Sequence, residues 1–287
     1  MSLWCARLTW AVLPITAGTA LGDALSGWST GPARVAALLL WAAWTLGLIA
    51  LLVPRPWGLT ALRVVAPAAV LVALLSVAGT SAASALVALS SCLLAAGFAL
   101  SAPVSQAAGN AVAYGDEIRY PLRIPISLFL GPVPLAVALT AAGVSVGPLL
   151  IADQRYPAGV AATVIGVPIA FVLVRSLHSL SRRWLVLVPA GVVVADPLTL
   201  VDPVLMRREV MLAVSRAARD SKDVEPLDLR LGTLAGTVVL TLREPVSFAR
   251  RRGRHDAELR DAEVVLVSTV RADTLVRTAI ERRLAVG

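Results

Sequence analysis

Charge, histidine, cysteine and lysine are all scarce in this chain. Only 15% of its 287 residues are charged and 57% are hydrophobic, with a mean hydropathy of +0.80. Soluble domains average about 25% charged residues, so a soluble monomer is excluded. The two histidines, His178 and His255, leave little from which to build a Ser-His-Asp or metal site. No H-E-x-x-H or glycine-rich phosphate loop occurs, and the G-x-S-x-G string Gly143-Val144-Ser145-Val146-Gly147 lies inside an uncharged apolar run rather than at a strand-to-helix turn. His255-Asp256 is an isolated two-residue match, and Asp196 and Asp202, on either side of Pro197–Val201, suit turn and capping roles better than acid–base work. The chain therefore reads as non-enzymatic, with no catalytic residue, cofactor or metal assigned. Cys5 and Cys92 have no C-x-x-C spacing, which argues against a disulfide framework or zinc site and for a reduced, cytoplasmic-side context.

What is present is a net charge of +8 on long apolar runs. Residues 1–183 hold ten arginines against Asp23, Asp116, Glu117 and Asp153, a balance of +6, whereas residues 184–287 hold fifteen arginines and Lys222 against fourteen acids, a balance of +2. The chain thus divides into a sparsely charged membrane part, residues 1–180, and a part of ordinary soluble charge density, residues 181–287. A hydrocarbon core about 30 Å thick needs about 20 apolar residues in a helix. Six runs satisfy this: Leu8–Trp28, Val35–Val53, Leu59–Ala78, Ala82–Ala102, Ile126–Ile151 and Ala158–Leu177. The first is interrupted by Pro14 and Asp23 but has no persuasive cleavage site, and is read as a retained span.

Positively charged short loops stay on the cytoplasmic side. With the N-terminus inside, eight arginines (Arg7, Arg55, Arg63, Arg119, Arg123, Arg175, Arg182, Arg183) fall inside and two (Arg34, Arg155) outside. Six spans then return the C-terminal part to the cytoplasm, and the expected location is a bacterial cytoplasmic membrane with both termini inside.

Six spans raise transport as the alternative function, but ionisable residues, which mark ion and substrate paths, are nearly absent from the span interiors. Ser90, Ser91, Thr140 and Ser145 are expected to bond carbonyls one turn back or a neighbouring helix. Pro67, Pro132, Pro134, Pro148 and Pro168 could open a transporter-like discontinuity, and are also ordinary kinks. The Gly18-x-x-x-Gly22 and Gly143-x-x-x-Gly147 spacings favour helix packing. The loop from Ser101 to Arg123, carrying Tyr114, Asp116, Glu117, Arg119 and Tyr120, reads as an interfacial segment, with docking of the C-terminal domain or of a partner as the sharper alternative.

After Arg182-Arg183 the period shortens. Trp184–Val188 and Val192–Asp196 around Pro189-Ala190-Gly191 predict a hairpin. Further short strands are expected around Glu209–Val214, Asp228–Leu231, Thr237–Leu242, Val246–Ala249 and Val264–Ser268. A terminal helix over Arg271–Leu284, capped by Ser268 or Thr269, would bury Val276, Ala279, Ile280 and Leu284. The run RRWLVLVPAGVVVADPLTLVDPVLMRREV, Arg182 to Val210, just after a last span, resembles actinobacterial multi-pass membrane proteins carrying a bacterial pleckstrin-homology-like domain. That resemblance implies a small, mostly-β barrel plugged by its C-terminal helix, and no catalytic residues.

Arg250, Arg251, Arg252 and Arg254 form the densest basic cluster, in an expected loop beside Asp256, Glu258 and Asp261. Each basic residue near an anionic membrane surface is worth on the order of 1 kcal/mol. Anionic lipid headgroups, or a membrane or cytosolic protein, are the partners this patch suggests. Nucleic acid is not among them, because a +2 domain without an aromatic platform is a poor match. The expected function is a cytosolic domain held at the bilayer for protein assembly or lipid contact.

Overall fold

The computed structural model describes residues 2–216, 225–253 and 256–284. Its helices are α1 (Ser2–Ala11), α2 (Leu13–Thr16), α3 (Gly18–Leu25), α4 (Thr30–Leu52), α5 (Pro56–Leu75), α6 (Ala82–Ala99), α7 (Ala102–Asn110), α8 (Ile126–Leu130), α9 (Pro132–Ala152), α10 (Tyr156–Leu180) and α11 (Ala272–Glu281). Its strands are β1 (Ile118–Pro121), β2 (Trp184–Val188), β3 (Gly191–Ala195), β4 (Val204–Arg207), β5 (Met211–Ser215), β6 (Leu227–Asp228), β7 (Thr237–Arg251) and β8 (Ala257–Ser268). Two compact units result, Met1–Ala108 with Gly131–His178, and Gly109–Leu130 with Ser179–Gly287. Where a division at 180/181 was expected, the second unit also takes in residues 109–130.

Among the described residues five helices, not six, are long and apolar enough to cross a membrane: α4, α5 with the 3-10 turn that ends it, α6, α9 and α10. Their exposed side chains include Leu38 at 68%, Ile165 at 61% and Phe171 at 68%, a surface that suits hydrocarbon rather than water. The protein is therefore membrane-embedded.

The expected first span is instead three short helices, the first boundary falling beside Pro14 and the second at Ala17. Proline has no N–H to give to the carbonyl four residues back, so the Trp10 carbonyl is released, although Pro67, Pro148 and Pro168 lie inside helices that stay continuous. The Trp44 indole Nε1 donates to that oxygen at 2.9 Å, and the Trp10 indole Nε1 returns a 2.9 Å bond to the Trp44 carbonyl. In apolar surroundings a neighbouring helix has thus satisfied what proline left open. The broken track still covers the depth of the bundle. Arg7 Nε donates to the Leu51 carbonyl near the end of α4, while Asp23 Oδ2 accepts from Thr80 Oγ1 near the start of α6.

The two glycine pairs behave differently. A Cβ on Gly143 would meet the Gly166 carbonyl at 2.5 Å, and one on Gly147 would meet Thr163 Oγ1 at 2.1 Å, so this pair makes the close α9–α10 crossing. Gly18 and Gly22 have nothing within 4 Å of an added Cβ, so the packing expected of them is not made.

In the second unit, antiparallel β1-β2-β3-β4 form one sheet and β5-β7-β8-β6 the other, with β6 parallel to β8. Leu185, Leu187, Val192, Met206, Phe248, Val265 and Leu275 are fully buried in their shared core. Isolated bridges Leu122↔Thr269 and Leu200↔Arg250 join the sheets, but neither sheet is closed among the described residues. A mostly-strand region ending in a helix is thus present. Strand β1 comes from the loop read as interfacial, and Tyr120 Oη, buried on it, donates to Thr278 Oγ1 of α11 at 2.9 Å.

Other expectations need correcting. The segments Thr237–Leu242 and Val246–Ala249 are one strand, β7, with a register shift between Thr241 and Val246 that accommodates Pro245. Helix α11 starts after Arg271 with no side-chain cap, because the cap position falls at Arg271, beyond Ser268 and Thr269, and Ser268 Oγ donates to the Ala235 carbonyl. Its buried stripe is Ala272, Leu275 and Ala279, with Leu284 just beyond its end, while Ile280 is 48% exposed.

Candidate functional site

The β7–β8 hairpin places the arginine cluster. Register pairs are Phe248↔Arg260, Ala249↔Leu259, Arg250↔Glu258 and Arg251↔Ala257. Side chains alternate across a strand, so Phe248, Arg250, Glu258 and Arg260 share the face that continues into the core, while Ala249, Arg251, Ala257 and Leu259 share the outer face. Arg250 and Arg251 therefore lie in strand rather than loop, and on opposite faces. Arg252 Nε donates to Glu258 Oε2 at 2.5 Å, and Arg250 sits directly across from the same carboxylate. The Arg252 guanidinium holds the Glu258 carboxyl below its ordinary value, with smaller contributions from Arg260 and Arg250. Arg254, like His255, lies outside the described residues.

Arg251 differs from its neighbours. It is exposed and has no ion pair among the described residues. Diagonally across its face lies Leu259, 78% exposed, the most exposed large aliphatic side chain of the described second unit. Among the described residues, the outer face thus joins a cation without an ion pair to an exposed apolar side chain.

The root of this end is fixed by a cluster that reading the residues singly does not find. Arg183 grips Asp196 through Nε–Oδ1 and Nη2–Oδ2 bonds of 2.7 Å each, both side chains being essentially inaccessible. Arg183 Nη1 donates to the Arg123 carbonyl at 2.7 Å, and Asp196 Oδ1 accepts the Leu198 N–H at 3.1 Å. The turn that follows runs to the hairpin: Leu200 N–H donates to the Asp196 carbonyl, Arg251 N–H to the Thr199 carbonyl and Val201 N–H to the Ala249 carbonyl, at 2.8–2.9 Å. An unbroken set of hydrogen bonds therefore leads from Arg183, three residues past α10, to Arg251. Asp196 is a buried anchor as well as the turn residue expected of it. The available signal was the β2–β3 hairpin: Trp184↔Ala195 pair, and one further step sets residue 183 opposite 196.

The remaining candidates resolve into structural roles. Ser90, Ser91, Thr140 and Ser145 donate to the carbonyls of Val87, Ala88, Ala136 and Ala141 in their own helices. His178 Nδ1 lies 2.8 Å from Thr60 Oγ1, and the His178 ring stacks on Trp57 with centroids 3.5 Å apart. Asp202 is exposed. Among the described residues no group of three or more His, Cys, Asp or Glu side chains could hold a metal ion. No family model, curated protein or solved structure matches the chain.

Proposed function

We propose that this chain is a non-enzymatic integral protein of a bacterial cytoplasmic membrane, both termini inside, with the broken α1–α3 track making the sixth crossing. It holds a pleckstrin-homology-like cytosolic domain at the bilayer, where the β7–β8 end contacts anionic headgroups. The observation that carries the reading is the outer face bearing Arg251 beside Leu259, tied through Thr199, Asp196 and Arg183 to the point where the chain leaves a membrane-length helix. Burying a leucine is worth about 1.5–3 kcal/mol, and one arginine at an anionic surface about 1 kcal/mol. Together they suit a weak contact that matters because the anchor makes it intramolecular.

The full-length protein in nanodiscs, with and without anionic phospholipid, provides the test. Amide exchange over 247–251 and 257–261 is expected to slow in anionic discs, and Arg251→Glu with Leu259→Asp to abolish the slowing. Identical exchange in both lipids would reject lipid contact, and protection conferred only by a co-purified protein would assign the surface to assembly. Sidedness is checked by labelling Glu209→Cys, an exposed turn position, in a background lacking Cys5 and Cys92. Labelling from the periplasm would overturn the topology.

A further inference from the structure

The membrane unit contains a groove that its own side chains leave unfilled. A cavity of about 1090 Å³ runs along α4, α5 and α9. One mouth is formed by Arg55, Trp57 and Thr60, and the far end by Trp28, Ser76 and Gly79. From Trp57 to Ser76 along α5 the rise is about 28 Å, close to the full thickness of a hydrocarbon core. Between these ends the wall is almost wholly apolar, with Ala61, Val64 and Ala141 among its lining.

Charge is confined to one place. Arg55 is the sole charged residue on the lining, it is exposed, and it has no ion pair among the described residues. An apolar cleft in a membrane fills with acyl chains, since neither water nor a vacuum is as favourable there. A cation with no ion pair among the described residues at the mouth gives that filling a polarity, because an anionic phosphate would take the position a carboxylate would otherwise hold. Trp57 is 62% exposed at the same mouth, where an indole suits headgroup depth.

We infer that this groove is a binding site for an anionic phospholipid of the leaflet on the Arg55 side, with its acyl chains between α4, α5 and α9 and its phosphate on the Arg55 guanidinium. The site is separate from the β7–β8 end, and either could exist without the other. Glu or Asp introduced near Arg55 would compete for the guanidinium, whereas a bulky side chain at Ala61 or Ala141 would occupy the chains' space.

The test is native mass spectrometry of the full chain, released from nanodiscs containing equal amounts of phosphatidylglycerol and phosphatidylcholine. Wild-type protein is expected to retain phosphatidylglycerol over phosphatidylcholine by about fivefold, the fold-change that corresponds to about 1 kcal/mol for one basic residue. Arg55→Gln should keep the amount of bound lipid and lose the preference. Ala61→Phe and, independently, Ala141→Phe should lower the amount bound, and a melting curve on each identifies a variant that retains the fold. Arg251→Glu should change neither quantity, which separates this site from the lipid contact proposed for the hairpin. An unchanged preference in Arg55→Gln, undiminished lipid in folded groove-filled variants, or a second protein chain in place of lipid would each overturn the inference.

Discussion

Replacing Asp196 with asparagine should destabilise the β unit far more than removing any of its exposed ion pairs. The substitution keeps size and an acceptor oxygen for the Leu198 N–H and Arg183 Nε but removes the countercharge, leaving the Arg183 guanidinium buried with only neutral partners, the amide oxygen and the Arg123 carbonyl. Breaking a buried pair by removing one charge costs about 3–5 kcal/mol, whereas replacing both with apolar groups can be neutral. Amide exchange of Leu185, Val186, Val193 and Val194, read by mass spectrometry on the purified full chain, reports the opening free energy of the strands that the pair joins. At 1.4 kcal/mol per decade, the single substitution should accelerate exchange by roughly a hundredfold to a few thousandfold. Arg183→Met with Asp196→Leu should recover most of the protection. Unchanged exchange in Asp196→Asn, or a double variant as labile as the single, would refute the view that an uncompensated charge is the source of the cost.

Three further outcomes follow from contacts within single units. Gly147→Val, whose Cβ would fall 2.1 Å from Thr163 Oγ1, should cost about 1–3 kcal/mol in detergent unfolding, while Gly18→Ala, with open space around it, should leave the midpoint unchanged or raise it. Trp44→Phe should cost about 1 kcal/mol by leaving the Trp10 carbonyl unpaired, and less in a Pro14→Ala background where residue 14 regains an N–H for that carbonyl; equal costs in both backgrounds would reject the link. The Arg230 guanidinium holds the Asp228 carboxyl below its ordinary value. A depressed carboxylate contributes stability fully present above its unfolded value, about 3.9, and loses it as pH falls through the lower folded value. The stability gap between wild type and Asp228→Asn should therefore narrow on acidification from pH 5 toward pH 2, and a gap constant over that range would contradict this reading.

The legibility of this chain follows the range of the signals. The long apolar helices show in the sequence because length and lack of charge are local properties, and α4 through α6 fall close to their expected runs. The first span misleads because the effect of a proline depends on its surroundings: Pro67, Pro148 and Pro168 lie inside helices that stay continuous, whereas the run that holds Pro14 divides. Glu244-Pro245 reads as an end to a strand, yet β7 continues because an irregularity in register lets Pro245 go without a ladder bond. Strand β1 is four residues ending in proline, and nothing in Ile118-Arg119-Tyr120-Pro121 distinguishes it from a loop until its partner β2 is known. The same distance hides the candidate surface. Four arginines nearly in a row look like one patch, and only the strand register separates Arg251 on the outer face from Arg250 across from Glu258.

Strand β1 also bears on topology independently of any count of arginines. It precedes α9 and pairs with β2, which follows α10, through Ile118↔Leu187 to Pro121↔Trp184. Two paired strands lie on the same side of a bilayer, so the helices between them must cross it an even number of times, and α9 and α10 are two membrane-length helices joined by a short turn. The pairing thus requires Arg119 and Arg123 to share a side with Arg182 and Arg183, as the arginine distribution also requires. It orders assembly too. Some 60 residues and both crossings separate β1 from its partner, so the first sheet cannot complete until the α9–α10 pair has inserted. Arg183 then closes the arrangement, binding Asp196 from the strand after it and the Arg123 carbonyl from the segment before α9. One buried guanidinium therefore joins the two stretches of chain that flank a membrane hairpin.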